Sequence, residues 1–337
     1  MKKRTKGVLA AALAAAGVFL LAGLDARLLV RAYTVESGRL TGPVRLAVLT
    51  DLHACAYGEG QRELLDAVAE QSPDLVLLCG DIVDDEPRMP EERALDTVEA
   101  LLDQYPGQVA AVIVEPVAAN MGVVGPAPGF LAGLRALCDK HGALLIFDEV
   151  ITGFRLALGG AQAYYGVTPD LSTFAKAIAS GYPFGAVVGR REVMACGVPA
   201  SGTFNGNPIG VAAALATIET LSQPGVYAHL EGLAQQLETG FRALARKYHR
   251  PLYLRHVGSI FILYFGFTED VEDFRDWLTQ ADLASYTRFV AGCEEYGVRF
   301  TDRRGREYLS VAHTQEDIRR TLAVADQVLG EMERGER

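Results

Sequence analysis

Apolar residues in this chain gather in short runs separated by amphipathic stretches, and several of the runs end on an acid. Residues 44–51 read Val-Arg-Leu-Ala-Val-Leu-Thr-Asp, a buried strand closing on Asp51. Leu64, Leu65, Val68 and Ala69 then share one helical face, and residues 75–79 form a second apolar strand followed by Gly80-Asp81-Ile82-Val83-Asp84-Asp85. The acidic, proline-bearing segment 84–92 predicts a loop. An amphipathic helix is expected over 94–105, a strand over 109–115 ending on Glu115, a helix over 130–141 and a strand over 143–148 ending on Asp148. Residues 170–179 read as a loop carrying Lys176. A short strand at 184–189, a helix at 211–221 and a longer helix at 230–247 come next. Strands at 256–265 and 298–312, with helices near 282–295 and 315–333, predict a smaller α+β lobe. Strands alternating with helices define an α/β protein, and such sheets place their sites beyond the strand carboxyl ends.

The amino terminus is patterned differently. Lys2, Lys3, Arg4 and Lys6 precede an uncharged, Ala- and Leu-rich run over 7–24. A basic start before an apolar stretch of that length fits a signal peptide or a signal anchor. The small-residue cleavage pattern before Asp25 is poor, so an uncleaved membrane anchor over 1–30 is expected in preference to a buried helix.

Composition narrows the chemistry. With 337 residues, half of them hydrophobic, the chain can bury a core for one large or two ordinary domains. Its 32 basic and 42 acidic residues give a net charge of -10, which argues against a nucleic-acid partner, since phosphate contacts need clustered Lys and Arg. The five cysteines are scattered without a C-x-x-C pair and read as free thiols.

Two constellations carry chemistry. Asp148 closes an apolar run within Phe147-Asp148-Glu149-Val150-Ile151-Thr152-Gly153-Phe154-Arg155. Lys176 stands 28 residues later within Thr173-Phe174-Ala175-Lys176-Ala177-Ile178-Ala179. A lysine that bonds the cofactor aldehyde and a carboxylate that keeps the pyridine nitrogen protonated are what pyridoxal phosphate chemistry requires. Upstream, Asp51-x-His53 and Gly80-Asp81-x-x-Asp84 come after two strands and offer ligands suited to a binuclear divalent-metal centre.

From about residue 95 onward the sequence resembles the class III, fold type I, aminotransferases, closest to their glutamate-1-semialdehyde aminomutase branch. The Asp148 and Lys176 segments carry the likeness. So do Val112-Ile113-Val114-Glu115-Pro116-Val117-Ala118-Ala119-Asn120-Met121-Gly122, Ser201-Gly202-Thr203-Phe204-Asn205-Gly206-Asn207-Pro208 and Ser310-Val311-Ala312-His313-Thr314-Gln315-Glu316-Asp317-Ile318. The resemblance implies Lys176 as the Schiff-base lysine and Asp148 as partner of the ring nitrogen. Val150 would pack on a ring face and Asn120 would lie near the 3-hydroxyl. Thr203 would reach the cofactor phosphate of a neighbouring subunit, which implies a homodimer acting on a small amino or keto acid. Glu115 and Glu149 are open between supporting the site and supporting local structure, and His313 reads as structural.

Residues 31–85 resemble membrane-anchored calcineurin-like metallophosphoesterases through Leu49-Thr50-Asp51-Leu52-His53 and Cys79-Gly80-Asp81-Ile82-Val83-Asp84. That likeness implies Asp51 and His53 on one divalent metal with Asp81 bridging to a second. The family's Gly-Asn-His and Gly-His-x-His boxes do not occur, so the metal set is incomplete. The expected organisation is an anchor at 1–30, a β-α-β metallophosphoesterase-like fragment at 31–92, a partial large domain with a mixed sheet flanked by helices at 93–225, and a small α+β domain at 226–337. Three functions stay open: a pyridoxal-phosphate transferase, impaired because the family's phosphate-gripping loop has no counterpart upstream; a membrane-anchored phosphoesterase; and a non-functional chimera joined near 92–106. The aminotransferase family itself is cytoplasmic, whereas the anchor would export this chain. A sheet short of its first strands would leave edges and helix faces uncovered.

Overall fold

The computed structural model describes residues 30–32, 45–49, 62–73, 75–79, 91–195, 202, 204–268, 277, 279–301 and 306–335. The expected anchor at 1–29 and Asp51, His53, Asp81 and Thr203 lie outside the described residues. Among the described residues no helix is long and apolar enough to cross a membrane.

Six strands form one sheet in sequence order: β1 (Leu46–Leu49), β2 (Leu75–Cys79), β3 (Val109–Val114), β4 (Leu144–Glu149), β5 (Leu171–Phe174) and β6 (Ala186–Gly189). β1 to β5 run parallel and β6 antiparallel. The helices between them are α1 (Arg62–Glu70), α2 (Glu91–Gln104), α3 (Phe130–His141) and α4 (Gly160–Tyr165), and α5 (Arg191–Met194) follows β6. Parallel strands need crossover connections, and the segments carrying α1 to α4 supply them.

The β-α-β fragment is continuous with the remainder of the sheet. β2 pairs with β3 from Val76↔Val109 to Cys79↔Ile113, across the expected boundary at residue 92. Leu64, Leu65 and Val68 of α1 join Val98, Leu101 and Leu102 of α2 in one core with Leu145 and Phe147 of β4. The buried Tyr105 hydroxyl also donates to Leu65 O at 2.7 Å. The expectation of unpaired sheet at this end is therefore corrected, because β2 supplies a hydrogen-bonded neighbour for β3. At the opposite end the sheet does stop on an uncovered edge. β6 is an edge strand with Val187 and Val188 54% and 47% exposed, and Ile209 and Leu215 of α6 (Pro208–Leu221) stand open beside it. Phe154, Phe174, Phe184, Val188, Leu215 and Ile218 line an open apolar groove of about 400 Å³ there.

The carboxy-terminal lobe has a three-stranded antiparallel sheet, β7 (Leu252–Val257), β8 (Ile260–Phe265) and β9 (Arg306–Tyr308), with α7 (Val226–Lys247), α8 (Leu283–Glu295) and α9 (Gln315–Glu333). β8 is buried at every position. Ile260, Ile262 and Tyr264 face the core of the large sheet, and Phe261, Leu263 and Phe265 face the helices of the lobe. A strand covered on both faces reads as a continuous apolar run, which is why its sequence is Ile-Phe-Ile-Leu-Tyr-Phe. α9 starts at a capping box in which the Thr314 and Asp317 side chains each bond the other's backbone amide.

Other expectations change in detail. The segment 170–179 contains β5, held between β4 and β6, before the lysine turn begins. The single strand expected over 256–265 is the hairpin β7–β8, turned at Gly258-Ser259. Gly258 has φ +57° and packs against Arg155 O, where an added Cβ would come within 2.8 Å. Within 298–312 the described strand is β9 alone.

Candidate active site

Alternation along β4 sorts its two terminal acids onto opposite faces. Leu145, Phe147 and Glu149 point into the core, whereas Leu144, Ile146 and Asp148 are half-buried on the other face. Asp148 lies opposite Thr173 of β5 in the parallel register. Its Oδ1 accepts from Val150 N at 3.0 Å and from Thr173 Oγ1 at 3.3 Å. Both bonds fall on one oxygen, so Oδ2 keeps its lone pairs for a ligand.

Lys176 begins three residues beyond Thr173. Ala175 is extended, and Lys176 opens a 3-10 turn to Ala179 with φ +49° and its side chain exposed. The turn is tied by Ile178 N to Ala175 O at 3.2 Å and closes with Ser180 at φ +48°. A non-glycine residue in the left-handed region costs about 1 kcal/mol or more, and such strain gathers at functional sites. Six non-glycine residues among those described have positive φ, and four of them, Val123, Phe154, Lys176 and Ser180, lie on the loops after β3, β4 and β5. The concentration fits a site beyond the strand ends.

Asn120 stands on the first of these loops, after β3. A 3-10 turn over Ala119–Met121 ends at Gly122 with φ +112°, and Ala118 and Val124 close the loop as an antiparallel bridge. Val117, Ala119 and Val123 are buried beneath it, while the Asn120 side chain is exposed. Two groups of the carboxy-terminal lobe hold this loop: the Tyr264 hydroxyl donates to Gly122 O, and Arg306 Nη1 donates to Asn120 Oδ1. Sequence reasoning missed Thr173, Tyr264 and Arg306 as partners of the site. The first needs the β4–β5 register to be seen, and the other two need the lobe contact.

Glu149 serves local structure. It is fully buried, and its Oε2 accepts from Ala161 N at 2.6 Å at the start of α4 and from Thr152 Oγ1 at 3.2 Å. Burial pushes its carboxyl above the ordinary range, and the Ala161 amide and Thr152 hydroxyl only partly offset that. His313 is also tied into local structure, accepting through Nδ1 from Ser310 N at 3.1 Å. Glu115 is exposed after β3. Val150, expected against a ring face, contributes its backbone amide to the Asp148 carboxylate. Among the described residues no group of three His, Cys, Asp or Glu side chains could hold a metal.

Known proteins share this fold. Residues 52–312 match the class-III aminotransferase family, and the chain belongs to that family. Among solved structures, an omega-transaminase from Sphaerobacter thermophilus is 31% identical with a TM-score of 0.65, covering 72% of this chain and 56% of its own. A glutamate-1-semialdehyde-aminomutase from Pseudomonas aeruginosa PAO1 is 28% identical with a TM-score of 0.62, covering 71% and 55%. A transaminase with PLP bound is 25% identical with a TM-score of 0.62, covering 73% and 57%. The chain thus spans little over half the length of these structures. The family likeness begins at residue 52, inside the segment whose sequence resembles metallophosphoesterases.

Proposed function

We propose that this chain binds pyridoxal phosphate at the carboxyl ends of β3, β4 and β5 and acts in amino-group transfer on a small amino or keto acid, with glutamate-1-semialdehyde aminomutase-like chemistry. The observation that carries the reading is the placement of Asp148 and Lys176 at the same edge of adjacent parallel strands, with Asp148 Oδ2 uncommitted. The donor set suits the cofactor's ring and aldehyde: a carboxylate for the pyridine nitrogen, an amine for the aldehyde carbon and a carboxamide for the 3-oxygen.

When bound, the cofactor supplies an electron sink for a carbanion at the substrate carbon bearing the amine. Asp148 keeps the ring nitrogen protonated and is itself oriented by Val150 N and Thr173. Lys176 would hold the cofactor through its aldehyde, and its amine is the group placed to carry a proton at the substrate carbon. Val150 borders the ring. Thr203 of a second copy completes the phosphate contact, so the working form is a homodimer. Impaired turnover belongs to the same reading, because the segment upstream of residue 95 contains no counterpart of the family's phosphate-gripping loop. No specific observation favours the phosphoesterase reading.

The test is an absorbance titration of the purified protein with pyridoxal phosphate, beside Lys176→Ala. A visible band that borohydride fixes on Lys176, located by peptide mass spectrometry and lost in the variant, is the expected result. A band of equal strength in Lys176→Ala would sink the proposal. Donor screening against the saturated protein then separates aminotransferase from aminomutase chemistry.

A further inference from the structure

Asn120 is held from outside its own loop. Its backbone is fixed by the Ala118–Val124 bridge, by Gly122 N–H to Ala119 O and by the Tyr264 hydroxyl on Gly122 O. None of these sets the rotation of the carboxamide, which is solvent-facing. Arg306 does. A guanidinium has only donors, so the Asn120 atom it meets must be the oxygen, and the amide NH2 is thereby turned the other way. Arg306 is in turn braced through Tyr308, whose ring lies 5.7 Å from its guanidinium carbon and 4.0 Å from that of Arg155. Arg155 belongs to the loop after β4, and its Nη1 also reaches Leu309 O at 3.5 Å. Its carbonyl takes both Ser259 N and Ser259 Oγ, at 3.1 and 3.0 Å. The carboxy-terminal sheet, the Asp148 loop and the Asn120 loop are thus mechanically one assembly.

We propose that Arg306 is a positioning residue that fixes the Asn120 carboxamide with its NH2 facing the cofactor's 3-oxygen. The inference rests on the proposed function, in which pyridoxal phosphate sits at these strand ends. Asn120 would then donate to the 3-oxygen and favour its deprotonated form. With that bond in place, the spectral transition of the cofactor-loaded protein would fall at lower pH than with Asn120 free to rotate. Among the described residues, the charged and titratable groups around Arg306 are Arg155, Tyr308 and Glu307, and the carboxylate of Glu307 accepts from the amide and hydroxyl of Thr301. Arg306 thus brings the small lobe to bear on the cofactor without touching it.

The experiment is a spectrophotometric pH titration of the cofactor-loaded protein for wild type, Arg306→Met, Arg306→Lys, Asn120→Ala and the Asn120→Ala/Arg306→Met pair. Arg306→Met is expected to raise the pH of the spectral transition by about one unit, as Asn120→Ala does. The double variant should equal Asn120→Ala alone, and Arg306→Lys, which keeps a donor, should recover part of the shift. In the cofactor-free protein, the Asn120 side-chain NH2 resonances should move in Arg306→Met by NMR. An unmoved transition, or additive shifts in the double variant, would overturn the positioning role while leaving the cofactor band intact. Loss of the band in wild type would instead remove the cofactor reading itself, and unmoved Asn120 resonances would overturn the Arg306 contact without any cofactor present.

Discussion

The β4–β5 pair carries an aspartate at each end, and the two are built in opposite ways. At the amino-terminal end Asp170 is 2% exposed. Its Oδ2 accepts from Leu145 N at 2.8 Å and Arg135 Nη1 at 2.7 Å, and its Oδ1 from Arg190 Nη1 at 2.9 Å. Its backbone joins Leu145 O and Arg190 N as well, so one residue ties α3, β4, β5 and the end of β6 together. At the carboxyl end Asp148 is half-buried, bonded on one oxygen only, and surrounded by loops in strained conformations. Residue type and strand pair are the same in both cases. The difference teaches that a saturated acid is a clamp for the fold, whereas one that is only half-buried and has an oxygen to spare is available to a ligand.

The largest effect that would break this comparison belongs to the clamp. Asp170→Ala strands the partly buried Arg135 and leaves Leu145 N without its acceptor, and is expected to cost about 3–5 kcal/mol of unfolding free energy. Urea denaturation measures it, and a loss under about 1 kcal/mol would show the network to be incidental. The sign of the pH dependence is fixed too. Burial alone would raise the Asp170 carboxyl, but the Leu145 amide and the two guanidiniums outweigh it and hold the group below the ordinary range. Its contribution is therefore complete above the unfolded carboxyl value of about 3.9 and is lost as pH falls through the lower folded value. Asp170→Asn should flatten that acid limb.

Glu149 is the intermediate case, a neighbour of Asp148 that nevertheless behaves as a clamp. Its carboxylate fits against Gly160, which has φ +67° and no room for a side chain, since an added Cβ would collide with both carboxylate oxygens. Gly160→Ala therefore meets backbone strain and a buried carboxylate together, and should destabilise by about 2–3 kcal/mol. The outcome is read as a lower thermal midpoint with unchanged far-UV circular dichroism at room temperature. A neutral result would mean that the turn before α4 moves freely, and Glu149 would lose its claim to a structural role.

The sheet was largely legible because β1 to β4 are each an apolar run with a polar residue at or soon after the end, and the crossover helices carry the matching 3.6-residue stripe. Asp148 was legible for the same reason, whereas Lys176 was legible through the family motif around it, the strand before it having been read as loop. β5 was missed because Leu-Ser-Thr-Phe is short and half polar; its stability comes from neighbours on both sides, which local pattern does not contain. The β7–β8 hairpin was hidden by β8, whose two buried faces erase the alternation that would have exposed the Gly258-Ser259 turn. The separation of Asp170 from Asp148 was equally invisible. Arg135 and Arg190 lie 35 and 20 residues from Asp170, and only the fold brings them to it.

The smallest effect on stability, and the sharpest test of the comparison, is expected at Asp148. Asn is isosteric, and its Oδ1 can still accept from Val150 N and Thr173 Oγ1, so both bonds seen at this position survive Asp148→Asn. Unfolding free energy should change by less than about 1 kcal/mol. What the substitution removes is the charge on Oδ2, which the fold leaves uncommitted. A neutral amide cannot hold a proton on the pyridine nitrogen, so pyridoxal phosphate should bind about tenfold or more weakly, in line with about 1.5–3 kcal/mol for a hydrogen bond to a charged group. The two measurements pull in opposite directions for the two aspartates: Asp170→Asn should weaken the fold, and Asp148→Asn should weaken the ligand. If Asp148→Asn unfolds as readily as Asp170→Asn while cofactor affinity is unchanged, the spare oxygen carries no function and both acids are clamps.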